Sequence, residues 1–455
     1  MLKKIILISG LFTLLNSCET EIPKSKTVIS GTITNPNNAL LLIAGNDYFR
    51  DTIQVDESGN FKDTLDILPG SYLLSYGKLF WRTYLQNGYD LEIVFDSNNF
   101  RNTLSYKGEG GVENNYLFQK ISKQREAMTK RQEAMKMRND SSLLLLNDLK
   151  EAMHQFLSSY PALPPAFKGL EKRSITYGYI ADLHRLHSKD TLGVISGLTS
   201  KLNALEENMD FNSGMDYLFS NRYRRMIEDT YREKAQISAK TSNLAEDIAF
   251  LKEISNIKND TIRNSLAFNH AKYGITYTKD LNTFYSLFLK SSTNPIHNED
   301  IKASYEILKK VAKGAPSPGF EDYENHQGGT TSLKDLAGSY LFIDVWATWC
   351  GPCRKEIPYL KELETKYHDK NIKFVSISID RQKDRDKWKQ MIKDENLGGV
   401  QLLADKDWES SFVQNYLIKG IPRFIILDPQ GNIIDYNAPV PSSGKLESIF
   451  DEFNL

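Results

Sequence analysis

Cys350 and Cys353 stand three positions apart in the stretch IDVWATWCGPCRKEIPYL, in a 455-residue chain with three cysteines in all. A pair at this spacing has four uses: half of a metal clip, a haem anchor, a structural staple, or a dithiol that trades electrons with other thiols. Structural zinc takes four ligands, yet no second cysteine pair or paired histidines accompany these two. The nearest histidine in sequence, His368, is alone. Haem attachment needs a histidine directly after the second cysteine, and Arg354 occupies that place. Neither a metal nor a cofactor is expected.

The local physics favours the dithiol. Cys350 ends the loop after an apolar strand, and Gly351-Pro352-Cys353 opens a helix running to about residue 367. Proline suits a first helical turn because its missing N–H costs nothing there. Free backbone N–H groups and the positive end of the helix dipole then face the Cys350 sulfur, and both favour thiolate over thiol. The thiolate is the attacking species. Cys353, one turn on, is shielded and placed to resolve a mixed disulfide.

These residues need a framework. The chain is too long for one ordinary core. With 40% hydrophobic and 25% charged residues it is globular, and a net charge of −1 gives no global field toward nucleic acid. Residues 28–107 read as short strands between turn signals such as DESGN, Pro69-Gly70 and Asn87-Gly88, which predicts a β-sandwich-like domain. Residues 108–313 carry apolar residues at helical spacing with few Gly or Pro, which predicts a helical domain. The stretch GAPSPG, 314–319, reads as a linker into 314–455, where near-continuous apolar strands alternate with helices. That grammar is α/β, with a sheet covered on both faces. A basic run at 119–138, interrupted by Glu126 and Glu133, reads as a solvated helix face.

The C-terminal third closely resembles the thioredoxin superfamily, through Trp349-Cys350-Gly351-Pro352-Cys353 and through Gly420-Ile421-Pro422-Arg423-Phe424. Within it, residues 331–338, Trp346-Ala347-Thr348-Trp349 and Arg354-Lys355-Glu356-Ile357-Pro358 resemble the membrane-anchored TlpA/ResA/DsbE-like group. The resemblance implies a thioredoxin fold for 314–455 and a thiol-disulfide oxidoreductase activity. It implies that Asp344 acts as general base toward Cys353 through water, and that Glu356 tunes the thiols. It places Pro422 as a cis proline against the cysteines. Trp349, Gly351, Pro352, Ile421 and Pro422 then face the substrate, with the backbone of Ile421 pairing to a client strand. Ser376 departs from thioredoxin, which has a lysine near the buried acid at this place.

The first residues, MLKKIILISGLFTLLNSC, have a basic start and an apolar run at 5–15 too short to span a membrane. Leu15-Asn16-Ser17-Cys18 resembles a bacterial lipobox, which implies a signal peptide at 1–17, a lipid on Cys18 and a polar tether at 18–27. The expectation is a lipid-anchored protein of the cell envelope, periplasmic or surface-facing. By resemblance it reduces oxidised proteins or apocytochrome c, takes electrons from a membrane donor of DsbD/CcdA type, and binds no nucleic acid. The rival expectation is a surface scaffold lipoprotein carrying the redox domain as an appendage. A peroxidase of the same fold fits less well, because Ala347 stands where such enzymes carry a threonine before the reactive cysteine.

Overall fold

The computed structural model describes residues 26–45, 49–453 and 455. The expected signal segment, Cys18 and the tether as far as residue 25 lie outside the described residues. Among the described residues no helix is long and apolar enough to cross a membrane.

The N-terminal strands form two four-stranded sheets. One orders Asn60–Leu65, Thr27–Thr34, Asp90–Asp96 and Ser105–Gly108. The other orders Arg50–Gln54, Leu40–Ala44, Gly70–Tyr76 and Leu79–Leu85. Alternate side chains are buried along Gly70–Tyr76 and Asp90–Asp96, as expected where one face of a sheet meets a core. Ile29, Ile33, Ile93 and Phe95 from the first sheet share that core with Leu41, Ile43, Leu74 and Trp81 from the second. The DESGN stretch turns as its residues require: Gly59 takes φ +84, and its N–H donates to the Asp56 carbonyl.

Helices fill most of residues 111–310. Asp140–Ser158 starts with a capping box between Asn139 and Ser142, and Pro165–His187 starts on a proline. Asp260–Gly274, Leu281–Ser291 and Pro295–Lys310 are capped by the side chains of Asn259, Asp280 and Asn294. The chain divides into two compact units: residues up to 209 with 215–224, and 210–214 with 225–455. The later helices therefore belong to the same unit as the C-terminal sheet.

That sheet has seven strands, in the order Thr330–Thr331, Tyr323–Asn325, Val400–Leu403, Ile372–Ser378, Tyr340–Trp346, Arg423–Leu427 and Ile433–Asp435. Tyr340–Trp346 pairs parallel with Ile372–Ser378 and antiparallel with Arg423–Leu427, so it is an interior strand next to the central one. All five residues of Arg423–Leu427 are buried, which fits a sheet covered on both faces. On one face the active-site helix Gly351–Lys366 and the C-terminal helix Leu446–Asp451 pack Leu360, Leu363, Leu446 and Phe450 against Phe342, Phe374 and Phe424.

One expectation is corrected. The stretch 314–319 is not a free linker but an added edge. Gly314 N–H donates to Ile433 O, Ile433 N–H to Ala315 O, and Ser317 N–H to Gly431 O. Proline removes only its own donor, so the neighbouring amides remain able to pair along an edge strand.

Phe450 is fully buried, with its ring 5.1 Å from that of Tyr367 and 5.8 Å from that of Phe342. Phe450→Ala should cost about 3–5 kcal/mol in urea unfolding, since the vacated volume cannot fully collapse. A loss below about 1 kcal/mol would show that the C-terminal helix is not part of this core.

Candidate active site

Cys350 is the N-cap of the helix Gly351–Lys366, and Pro352 sits in its first turn. The Cys353 N–H donates to Cys350 Sγ at 3.1 Å, so the free amide of the first turn points at the outer sulfur. The two sulfurs are joined in a disulfide, with Cα atoms 5.3 Å apart. Both cysteines are only 4% exposed. The difference in shielding expected from position alone is therefore absent in the bridged form. Trp349, Gly351 and Pro352 are exposed around the sulfurs, and the Trp349 ring lies 6.4 Å from that of Trp408.

The loop before the helix is held from below by a residue the sequence did not single out. Asp380 is fully buried at the end of Ile372–Ser378. It accepts from Thr348 N–H at 2.9 Å, Thr348 Oγ1 at 2.7 Å and Ser378 Oγ at 2.7 Å. Two of these bonds fix Thr348, two residues ahead of Cys350, and the third holds the carboxylate to its own strand. The only sequence signal was an acidic residue ending an apolar strand.

The Ile421–Pro422 bond is cis. The Ile421 carbonyl oxygen lies 3.8 Å from Cys350 Sγ. The structure thus brings Cys350, Cys353, Ile421 and Pro422 together.

Asp344 sits mid-strand in Tyr340–Trp346, opposite Ser376 on one side and Phe424 on the other. Its Oδ1 is shut off from solvent and has no hydrogen-bond partner. Burial pushes its carboxyl up to about 8, helped by the charges of Glu356 and Glu364. Ser376, where thioredoxin has lysine, supplies no positive charge to oppose this. Glu356 does not bond Asp344. Its carboxylate accepts from Ser442 N–H and Ser442 Oγ, each at 2.9 Å, and so ties the helix to the turn Pro441–Ser443. Glu364, on the same helix, was not anticipated. Burial lifts it to about 7, against the pull of Lys361. Hydrophobic spacing marked its helix but gave no sign that this position is half-buried.

The C-terminal region has known relatives. The Redoxin family model matches residues 312–452. The thiol-disulfide oxidoreductase ResA of Bacillus cereus is 31% identical over 131 residues, covering 29% of this chain and 71% of that protein. The thioredoxin-like protein YneN of Bacillus subtilis is 27% identical over 141 residues, covering 31% of this chain and 80% of its own length. A crystal structure of the thioredoxin domain of a thiol-disulfide oxidoreductase from Bacteroides vulgatus is 30% identical and covers 30% of this chain and 98% of that domain, with a TM-score of 0.28. Through its C-terminal region the chain belongs to the thioredoxin-superfamily thiol-disulfide oxidoreductases of the ResA type.

Two outcomes follow from the electrostatics. An acid whose folded pKa is raised is stabilised while protonated. Its contribution is whole below the ordinary carboxylate pKa and is lost as pH rises to about 8. The stability of Asp344→Asn relative to wild type should therefore climb between pH 4 and pH 8, by at most about 1.4 kcal/mol per pH unit in paired denaturation curves. A constant difference across that range would mean Asp344 ionises normally. Separately, Asp380→Ala strands the Thr348 amide and should cost about 2 kcal/mol or more, with faster amide exchange at Thr348. Unchanged exchange there would show that the loop holds itself.

Proposed function

We propose that this chain is a lipid-anchored, extracytoplasmic reductase of protein disulfides, working through the Cys350–Cys353 dithiol. The observation that carries the reading is the Cys353 amide directed at Cys350 Sγ, with the Ile421 carbonyl 3.8 Å from the same sulfur. That arrangement supports an outer sulfur that ionises easily and a neighbouring backbone edge for a client.

In the reduced state the Cys350 thiolate attacks one sulfur of a client disulfide. A mixed disulfide forms, and the first client thiolate leaves. Asp344, in its ionised form, takes the proton of Cys353 through water, and the resulting Cys353 thiolate attacks Cys350 Sγ. The second client thiolate leaves, the client has gained two electrons, and the Cys350–Cys353 disulfide remains. An acid lifted to about 8 matches the basicity of a thiol near 8.5, which is what proton exchange between them requires. A membrane donor of DsbD/CcdA type then returns two electrons. Clients in this reading are oxidised envelope proteins or apocytochrome c awaiting haem. Residues 28–107 act as a β-sandwich-like domain and 108–313 as a helical one, with 314–455 carrying the chemistry. Cys18 carries the lipid.

The reduced full-length protein should precipitate insulin by cleaving its interchain bridges, and Cys350→Ser should abolish this. Cys353→Ser should instead accumulate mixed disulfides in its own host, separable on non-reducing gels. Failure of the reduced wild type to cleave insulin would favour the scaffold reading.

A further inference from the structure

The helix Asp260–Gly274 ends beside the site, in the same compact unit. Its last turn and the residues after it are bonded on both flanks of Gly420-Ile421-Pro422. On the side before the proline, Lys419 Nζ donates to Lys272 O at 2.9 Å and to Ser304 Oγ at 3.1 Å. On the side after it, the buried guanidinium of Arg423 donates to Thr276 O at 2.7 Å and to Thr276 Oγ1 at 3.2 Å. The end of the next strand and the turn after it add more: Tyr436 Oη donates to Thr278 O, Asn437 Nδ2 to Tyr277 O, and Lys279 Nζ to the Asp435 carboxylate.

Tyr277 is at the middle of this joint. Its ring centroid is 4.2 Å from Arg423 Cζ, a cation–π contact. Its hydroxyl oxygen abuts Gly420 so closely that a Cβ there would come within 2.6 Å of it. Gly420 adjoins Ile421, whose carbonyl is beside Cys350 Sγ. Yet Tyr277 is 42% exposed, whereas Arg423 is 2% exposed. Part of the Tyr277 ring is thus open to solvent next to the residue that precedes Ile421.

We infer that Tyr277, contributed by the helical region, is a client-contacting residue that sets affinity for extended protein substrates. The inference rests on the reductase reading above. A client segment that runs beside Ile421 to present its disulfide to Cys350 passes over Gly420 and meets the open part of the Tyr277 ring. Exposed Trp349 adjoins Cys350 in the chain and offers a second aromatic surface near the reacting sulfur. The exposed ring therefore favours clients with an apolar or planar side chain next to the reacting cysteine, since aromatic surface gains most from such neighbours.

The test uses the full chain, with insulin as substrate and kcat and KM measured separately. Tyr277→Ala should raise KM about fivefold with kcat within about twofold of wild type, the size expected for one partly buried aromatic contact. Tyr277→Phe, which keeps the ring, should hold KM near the wild-type value. So should Tyr273→Ala, which removes an exposed tyrosine one turn earlier. If Tyr277→Ala does not fold, Tyr277→Leu, which keeps bulk over Arg423, is read in its place. An unchanged KM in the Tyr277 variant overturns the inference. So does a loss of kcat and melting temperature together at constant KM, or an equal rise in Tyr273→Ala. A wild type that leaves insulin intact overturns the reductase reading and this inference with it.

Discussion

The amide of Cys353 points at the sulfur of Cys350 because two constraints meet in the loop between them. Pro352 sets the first helical turn, where an unpaired N–H is free to face outward. Asp380, itself held by Ser378, anchors Thr348 with two bonds, which restrains the cap residue against drifting from the helix axis. The helix dipole acts only within about a turn of its end. A loop that swayed by a few ångströms would lose that field, and with it the asymmetry between the two sulfurs.

The acid on the strand before the cysteines is tuned by what it lacks. Asp344 shares its neighbourhood with Glu356 and Glu364, and its strand neighbour is Ser376. Without a lysine to favour ionisation, desolvation and like charge act in the same direction. The carboxyl is held near the proton affinity of a thiol by exclusion of water and not by a specific bond, which agrees with the unpartnered Oδ1. Glu356 plays its part at a distance, through charge, while its oxygens hold Ser442.

The dithiol and the proline were legible in the sequence because their chemistry is local: a cysteine spacing, a helix-opening proline, and an Ile-Pro step before an apolar strand. Asp380, Glu364 and Arg423 were not. Each matters through a partner far along the chain, and composition does not say which distant segments meet. The strands Val400–Leu403 and Tyr323–Asn325 are too short to show a period. The stretch 314–319 misled for a related reason. Gly and Pro mark an irregular backbone, but they do not reveal that its remaining amides will find Ile433. Cys18 remains a reading of the sequence alone.

The buried guanidinium of Arg423 bears on how such proteins can be taken apart. Its hydrogen-bond acceptors, the Thr276 carbonyl and hydroxyl, lie outside residues 314–455. Cutting the chain at the start of the redox domain would remove those acceptors together with the Tyr277 ring that lies over the guanidinium, and would leave an interior cation facing water. The last third of this molecule is thus knit into the helices before it, through Arg423 and Lys419, and is not a free-standing cassette.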